Sequence, residues 1–183
     1  MKNENNHVVT VFGSSRTRQG EHDYEIAYNV GRELATAGFT VCNGGYGGTM
    51  EASARGAKDA GGDTIGVITK SFPGSTANRW IKTVIEENTL VDRLLKLVSL
   101  GDAYVVLRGG TGTLLELAAV WEFMNKNIIR EKPIVVVGGF WNGVVKTLKE
   151  ELAWEGVGDS GRFVTLVDSP DACAAVLRNT MHE

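Results

Sequence analysis

The 183-residue sequence contains little cysteine and little proline, and it has no long apolar run. Its two cysteines, Cys42 and Cys173, cannot build a disulfide framework and have no C-x-x-C spacing, so we expect buried thiols. No stretch of about 18 apolar residues could span a membrane. The polar N-terminus, Met1 to His7, lacks the apolar centre of a signal peptide. These absences predict a cytoplasmic protein.

Strong charge and metal-ligand spacing are also missing. The net charge is −3 and no basic stripe is present, which argues against a nucleic-acid partner. The three histidines, His7, His22 and His182, are scattered and have no metal-ligand spacing. The sequence therefore predicts no metal site and no bound cofactor.

Glycine, in contrast, is abundant, with 23 residues against 3 prolines. Disordered low-complexity chains raise both residues together, and there is no G-X-Y period, so neither disorder nor collagen is expected. With 43% hydrophobic and 22% charged residues, the composition is that of a globular protein. The length predicts one domain over residues 1–183. The glycines must then lie where the backbone geometry requires them.

Short β-branched runs alternate with longer segments of helical period along the chain. Continuous apolar runs such as Val8 to Phe12 and Pro133 to Val137 are typical of strands buried on both faces of a parallel sheet. Predicted helices include Leu114 to Asn125 and Val144 to Leu152, while Lys82 to Glu86 could be a short strand. This order predicts a single doubly wound, Rossmann-like α/β domain, with a mainly parallel sheet flanked by helices.

Three glycine-containing loops each follow a predicted strand: Gly13-Ser14-Ser15, Gly44 to Thr49 and Gly109 to Thr113. Ligands of open parallel sheets bind beyond the carboxyl ends of the strands, and a helix that begins there directs its free N–H groups at an anion. The loops therefore indicate a phosphorylated ligand. The alternative is that these glycines only make tight turns between strands and helices.

Two common nucleotide motifs are absent. The dinucleotide fingerprint lacks its third glycine in both long loops, with Met50 and Leu115 at those positions, and Asn43 stands where an acidic residue would bind ribose. No Gly-Lys pair occurs, so there is no GxxxxGK[ST] loop. A smaller mononucleotide is favoured over NAD or ATP hydrolysis.

The segment from Arg108 to Glu116, RGGTGTLLE, closely resembles the PGGxGTxxE motif of the LOG (LONELY GUY) family, often labelled "possible lysine decarboxylase". Gly44 to Ala52 is similar to the second glycine loop of that family, and Arg93 lies nine residues before Asp102, as the family's arginine does before its aspartate. Characterised members resemble nucleoside 5′-monophosphate phosphoribohydrolases. Departures are Arg108 in place of the motif's proline and Leu94 in place of a lysine. The superfamily also contains molybdenum-cofactor carriers and nucleotide sensors.

The resemblance implies hydrolysis of an N-glycosidic bond in an AMP-like ligand, with a homodimer or higher homo-oligomer as the assembly. It implies Arg93 and Glu116 as the catalytic pair. Alternatives remain for both: Glu116 as a first-turn acid stabilised by the helix dipole, and Arg93 as a solvated residue or surface salt bridge. The candidate phosphate- and nucleotide-binding residues are Gly13, Ser14, Ser15, Gly44, Gly45, Gly47, Arg108, Gly109, Gly110, Thr111, Gly112 and Thr113.

Overall fold

The computed structural model describes residues 7–157 and 159–181. Met1 to Asn6 and His182, on which two of the expectations above depend, lie outside the described residues. Strands and helices alternate along almost the whole chain. They are β1 (Val8–Phe12), α1 (His22–Thr36), β2 (Thr40–Asn43), α2 (Thr49–Asp59), β3 (Thr64–Thr69), β4 (Thr83–Glu87), α3 (Leu90–Leu100), β5 (Ala103–Val106), α4 (Thr111–Asn125), β6 (Ile134–Val137), α5 (Asn142–Trp154), β7 (Val164–Val167) and α6 (Pro170–Met181).

The seven strands found in the described residues form one sheet, in the order β4-β3-β2-β1-β5-β6-β7. Every pairing is parallel, including that of β4, which adds to the edge beside β3. The predicted doubly wound α/β fold is therefore confirmed, and the sheet is parallel throughout rather than mainly so. The assignment of residues 1–183 to one domain stays a prediction.

The sheet is buried on both faces, as its unbroken apolar strands predict. One face packs against α1, α2 and α6 through a cluster that includes Val30, Leu34 and Leu177. The other packs against α3, α4 and α5 through a cluster that includes Leu97 and Trp121. Alternate strand residues supply the two clusters, because successive side chains of a strand point to opposite faces.

The order in which strands are added to the sheet reverses between β1 and β5, which lie next to each other. Strands β1 to β4 form one half of the sheet, and strands β5 to β7 form the other half on the opposite side of β1. The carboxyl ends of β1, β2 and β5 therefore lie side by side at the topological switch point, where ligands of such sheets bind. Each of these ends leads into one of the three glycine-containing loops.

One helix boundary differs from the sequence-based prediction in a way that affects the site. Helix α4 begins at Thr111, three residues before the predicted start at Leu114. The glycine-threonine segment forms the first helical turn itself, since Gly110 stands at the N-cap with extended backbone angles. In the described part of the chain, no helix is both long and apolar enough to cross a bilayer.

Candidate functional site

The backbone of Ser14 joins the three loops. Its N–H donates to the carbonyl oxygen of Arg108 at 3.2 Å, and its own carbonyl oxygen accepts from Thr49 N at 2.8 Å. The Thr49 hydroxyl donates to the same oxygen at 3.0 Å. Buried backbone groups must find partners, and here each loop supplies one for its neighbour. The three loops consequently form one continuous wall at the sheet edge.

A cleft of about 570 Å³ opens beside this wall on the α3–α4 side of the sheet. It brings together both predicted catalytic residues and seven of the predicted binding residues: Arg93, Glu116, Gly13, Ser14, Ser15, Gly110, Thr111, Gly112 and Thr113. Gly44, Gly45, Gly47, Arg108 and Gly109 do not line it. The cleft therefore combines residues that are separated by up to about a hundred positions in the chain.

The N-terminus of α4 forms one side of the cleft. Within the described residues no side chain caps this helix end, and its first turn consists of Thr111, Gly112 and the buried Thr113. The first N–H groups of a helix have no intrahelical partner and carry the positive end of the helix dipole. Together with the Ser14 and Ser15 loop, this end can bind a phosphate group.

Glu116 also lies on α4, and it faces the same cleft. Because α4 begins at Thr111, the first turn contains no acidic residue and Glu116 belongs to the second turn. The interpretation of Glu116 as a first-turn acid is therefore wrong. Burial raises the pKa of its carboxyl to about 7, and the positive charge of Arg93 partly opposes that increase. Near neutral pH both protonation states of Glu116 are populated.

Arg93 is only 8% exposed, so the interpretation as a solvated surface residue is also wrong. Its Nε donates to the carbonyl oxygen of Val67 at 2.7 Å, and its Nη2 donates to that of Gly44 at 2.9 Å. The same Nη2 lies 3.8 Å from the sulfur of Met50. Burial lowers the pKa of the guanidinium, and the nearby Glu116 charge raises it.

Among the described residues, neither an ion pair nor a hydrogen bond joins Arg93 to Glu116, although each affects the pKa of the other. Two guanidinium nitrogens of Arg93 are bound to backbone carbonyls, while Nη1 has no protein partner in that set. Both side chains line the same cleft without a direct bond between them.

The glycines of the second loop do not line the cleft but lie next to residues that do. A β-carbon at Gly44 would lie 1.7 Å from Nη2 of Arg93, so only glycine permits the buried position of the arginine. Gly45 adopts a φ of +77°. Its carbonyl oxygen accepts two hydrogen bonds from Asn78, one from the backbone N–H and one from the side-chain amide of that residue. A β-carbon at Gly47 would first meet the carbonyl oxygen of Ser15, 4.0 Å away.

Arg108 and Gly109 precede the N-terminus of α4 and lie outside the larger cleft. The Arg108 side chain points into a second cleft of about 300 Å³, where it pairs with Asp23 at 3.4 Å and lies 5.0 Å over the Phe140 ring. A β-carbon at Gly109 would lie 2.1 Å from the hydroxyl oxygen of Thr113. Both residues hold the loop rather than lining the larger cleft.

Sequence reasoning did not select four further residues that line the cleft: Tyr46, Met50, Phe72 and Leu90. Arg16, which follows the Gly13-Ser14-Ser15 loop, lines the cleft as well. Leu90 precedes Arg93 by one helical turn, a spacing that could have identified it. Tyr46 and Met50 lie within or beside the second glycine loop, which was a local signal. Phe72 comes from the segment between β3 and β4, and only the tertiary structure brings it to the site.

Comparison with known proteins gives a consistent result. The model of the SLOG cluster4 family matches residues 6–172. A cytokinin riboside 5′-monophosphate phosphoribohydrolase of Mycobacterium tuberculosis is 36% identical over 62% of this chain and 61% of its own length. The cytokinin riboside 5′-monophosphate phosphoribohydrolase LOG of Oryza sativa subsp. japonica is 27% identical over 93% of this chain and 71% of its own. The chain thus spans about three fifths of the length of the mycobacterial relative.

A solved structure of similar fold is that of the molybdenum cofactor carrier protein from Chlamydomonas reinhardtii. It has a TM-score of 0.78 and 21% sequence identity, and the match covers 98% of this chain and 100% of the other. At this identity the likeness shows the fold alone.

Proposed function

The chain belongs to the SLOG cluster4 family, within the LOG superfamily that its motifs resemble, and from that premise we propose that it is a nucleoside 5′-monophosphate phosphoribohydrolase. The observation that carries this proposal is the pair formed by Glu116 and Arg93 in the cleft that contains the N-terminus of α4. The reaction adds water to C1′ of the ribose and breaks the N-glycosidic bond. The products are a free base and ribose 5-phosphate.

The 5′-phosphate binds at the N-terminus of α4 in this proposal. The N–H groups of the first turn, the Thr113 hydroxyl and the Ser14–Ser15 loop supply hydrogen-bond donors for its oxygens. The exposed Arg16 at the same end adds a positive charge. A phosphate held there places the ribose farther along the cleft, beside the second turn of α4 where Glu116 lies.

Glu116 acts on the ribose. Glycosidic bond cleavage develops positive charge on the sugar, and an ionised carboxylate stabilises that charge and accepts a proton from the attacking water. The raised pKa makes Glu116 a stronger base than an ordinary carboxylate while leaving it about half ionised near pH 7. This proton then passes to the departing nitrogen of the base, which leaves Glu116 ionised again.

Arg93 acts on the leaving group and on Glu116. The base departs with the electron pair of the glycosidic bond, and the Nη1 group of Arg93 donates a hydrogen bond that stabilises the developing negative charge. Its fixed hydrogen bonds to Val67 and Gly44 mean that little reorganisation is required during the reaction. Its positive charge also limits how far burial raises the pKa of Glu116.

The test is incubation with AMP, GMP, CMP and UMP, with chromatography of free base and ribose 5-phosphate. We expect release of base by the native protein and a loss of about 100- to 10,000-fold in kcat for Glu116→Gln. Glu122→Gln is the matched control, since Glu122 lies on the same helix but is exposed and pairs with Lys126. No base release from any of the four nucleotides at high protein concentration would contradict the proposal.

A second candidate function is a non-catalytic nucleotide or molybdenum-cofactor binder. It is favoured by Arg108, which replaces the motif's proline and whose side chain lines a second cleft with Asp23 and Phe140. Isothermal titration distinguishes the two functions: tight binding of AMP without any base release supports the binder, whereas turnover by the purified protein alone supports the hydrolase.

We further propose a homodimer that forms through α3 and α4, in a cytoplasmic protein. Both helices cover the same face of the sheet, and both carry large apolar side chains exposed to solvent. These are Leu90, Val91, Leu95, Leu114 and Leu115, of which Val91 is 63% exposed. Apolar surface of this kind is typical of protein interfaces. Light scattering should give twice the chain mass, and Val91→Glu should give one chain, whereas Leu166→Glu on β7 should not.

A further inference from the structure

Tyr46 lies directly against the buried cation of the site. Its ring faces the Arg93 guanidinium, with a distance of 5.3 Å between the guanidinium carbon and the ring centroid. This is within the range of a cation–π interaction, which is stronger when the cation is shielded from water. Arg93 is shielded from water in this way, because this residue is only 8% exposed. The two hydrogen bonds to Val67 and Gly44 fix one edge of the guanidinium, and the ring lies against its central carbon.

The position of Tyr46 is itself fixed at three points. Its hydroxyl accepts a hydrogen bond from Thr69 N at 2.9 Å and donates to the carbonyl oxygen of Thr69 at 3.3 Å. Its backbone carbonyl accepts from the side-chain amide of Asn78 at 2.8 Å. The Phe72 ring packs against it at a centroid distance of 5.8 Å. The ring is therefore attached to the end of β3 and to the segment that follows it.

We propose that Tyr46 is a positioning residue, which holds the Arg93 guanidinium so that its unpaired Nη1 is directed into the cleft that Glu116 also lines. Without the ring, the guanidinium can rotate about its remaining contacts and water can reach its open face. The catalytic consequence rests on the proposed hydrolase function. The effect of the Arg93 charge on the pKa of Glu116 does not depend on that function, because this effect is present in the ligand-free protein.

The test compares Tyr46→Leu with Tyr46→Phe, which keeps the ring and removes only the hydroxyl. The first measurement is the titration of the Glu116 carboxyl in the ligand-free protein, followed by carbon NMR. Since the charge of Arg93 lowers the pKa of Glu116, displacement of Arg93 should raise it. We expect the midpoint to rise by about half a unit or more in Tyr46→Leu and to stay near the native value in Tyr46→Phe.

The second measurement is turnover. We expect kcat to fall about 10- to 100-fold in Tyr46→Leu, the size of effect that a small misplacement of a catalytic group produces, and the acidic limb of the pH–rate profile to move with the Glu116 midpoint. In an Arg93→Met background, Tyr46→Leu should have little additional effect, since Tyr46 acts through Arg93. Tyr28→Leu is the matched control, because Tyr28 faces another arginine, Arg55, at 5.8 Å and does not line the cleft.

The same titration shift is expected for Tyr46→Met, whose flexible side chain fills much of the space of the ring without its π face. A folding failure of Tyr46→Leu therefore does not prevent the test. An unchanged Glu116 midpoint in a folded variant without the ring overturns the proposal. Absence of base release by the native protein contradicts the hydrolase function, whereas the titration still decides the role of Tyr46.

Discussion

The Nη2 atom of Arg93 donates to the carbonyl oxygen of Gly44 at 2.9 Å, and a β-carbon at position 44 would lie only 1.7 Å from that nitrogen. The glycine thus has two functions at one point. Its carbonyl oxygen binds the guanidinium, and its missing side chain provides the space that the guanidinium occupies. A buried arginine requires such partners, because removing its charge from water is costly.

The first prediction concerns Gly44→Ala. The new methyl group should displace Arg93 and lower kcat about as much as Arg93→Met does, by at least about 10-fold. Gly143→Ala is the control, since no described atom outside its own stretch of helix lies within 4 Å of a β-carbon at that position. The comparison is made by steady-state kinetics, with circular dichroism to verify folding. Native kcat in Gly44→Ala would show that the position of Arg93 is unimportant.

The second prediction is that Glu116→Gln, which should lose activity, makes the folded protein more stable. The pKa of Glu116 is higher in the folded protein than the ordinary 4.5, so its contribution to stability is fully present below about pH 4.5 and is lost as the pH rises through about 7. Glu116→Gln removes this loss of stability at high pH, because glutamine does not ionise. Thermal unfolding should show the variant more stable than the native protein at pH 8, by about 3 kcal/mol, and the difference should disappear near pH 4. Equal pH dependence of the two proteins would contradict the raised pKa.

The third prediction is the pH dependence of base release. If ionised Glu116 is the base, kcat/KM should rise about 10-fold per pH unit below pH 7 and become constant above it. A profile that instead falls with rising pH through 7 would identify the protonated carboxyl as a general acid. The exposed Glu122→Gln variant should keep the native profile, since its carboxylate is remote from the cleft lining.

The fourth prediction compares two glycines of the Gly109 to Thr113 segment. A β-carbon at Gly109 would lie 2.1 Å from the Thr113 hydroxyl, whereas one at Gly112 would meet no described atom beyond its own helical turn within 4 Å. Gly109→Ala should therefore lower the melting temperature of the ligand-free protein. Gly112→Ala should leave it unchanged or raise it slightly, yet raise the KM for AMP about 10-fold or more, because the methyl group would occupy the phosphate site. A native KM in Gly112→Ala would place the phosphate elsewhere.

Much of the architecture could be predicted from the sequence because it depends on local pattern. Apolar runs such as Val8–Phe12 indicate buried parallel strands, and the parallel sheet confirms this. The glycine loops were identifiable for the same reason, since each directly follows a strand. The start of α4 was not, because Gly112 is a poor helix former by propensity and yet lies in the first turn, beside the buried Thr113.

By itself, the sequence determined the fold class, the order of the elements and the candidate pair Arg93 and Glu116. The tertiary structure alone decided how these residues are used. Burial raises the pKa of Glu116, the carbonyl groups of Val67 and Gly44 orient Arg93, and Tyr46 covers it. Arg108 pairs with Asp23 outside the larger cleft, and its role in ligand binding stays a prediction. The physical reason is that periodicity encodes local backbone structure, whereas burial and pairing depend on residues that are distant in the chain.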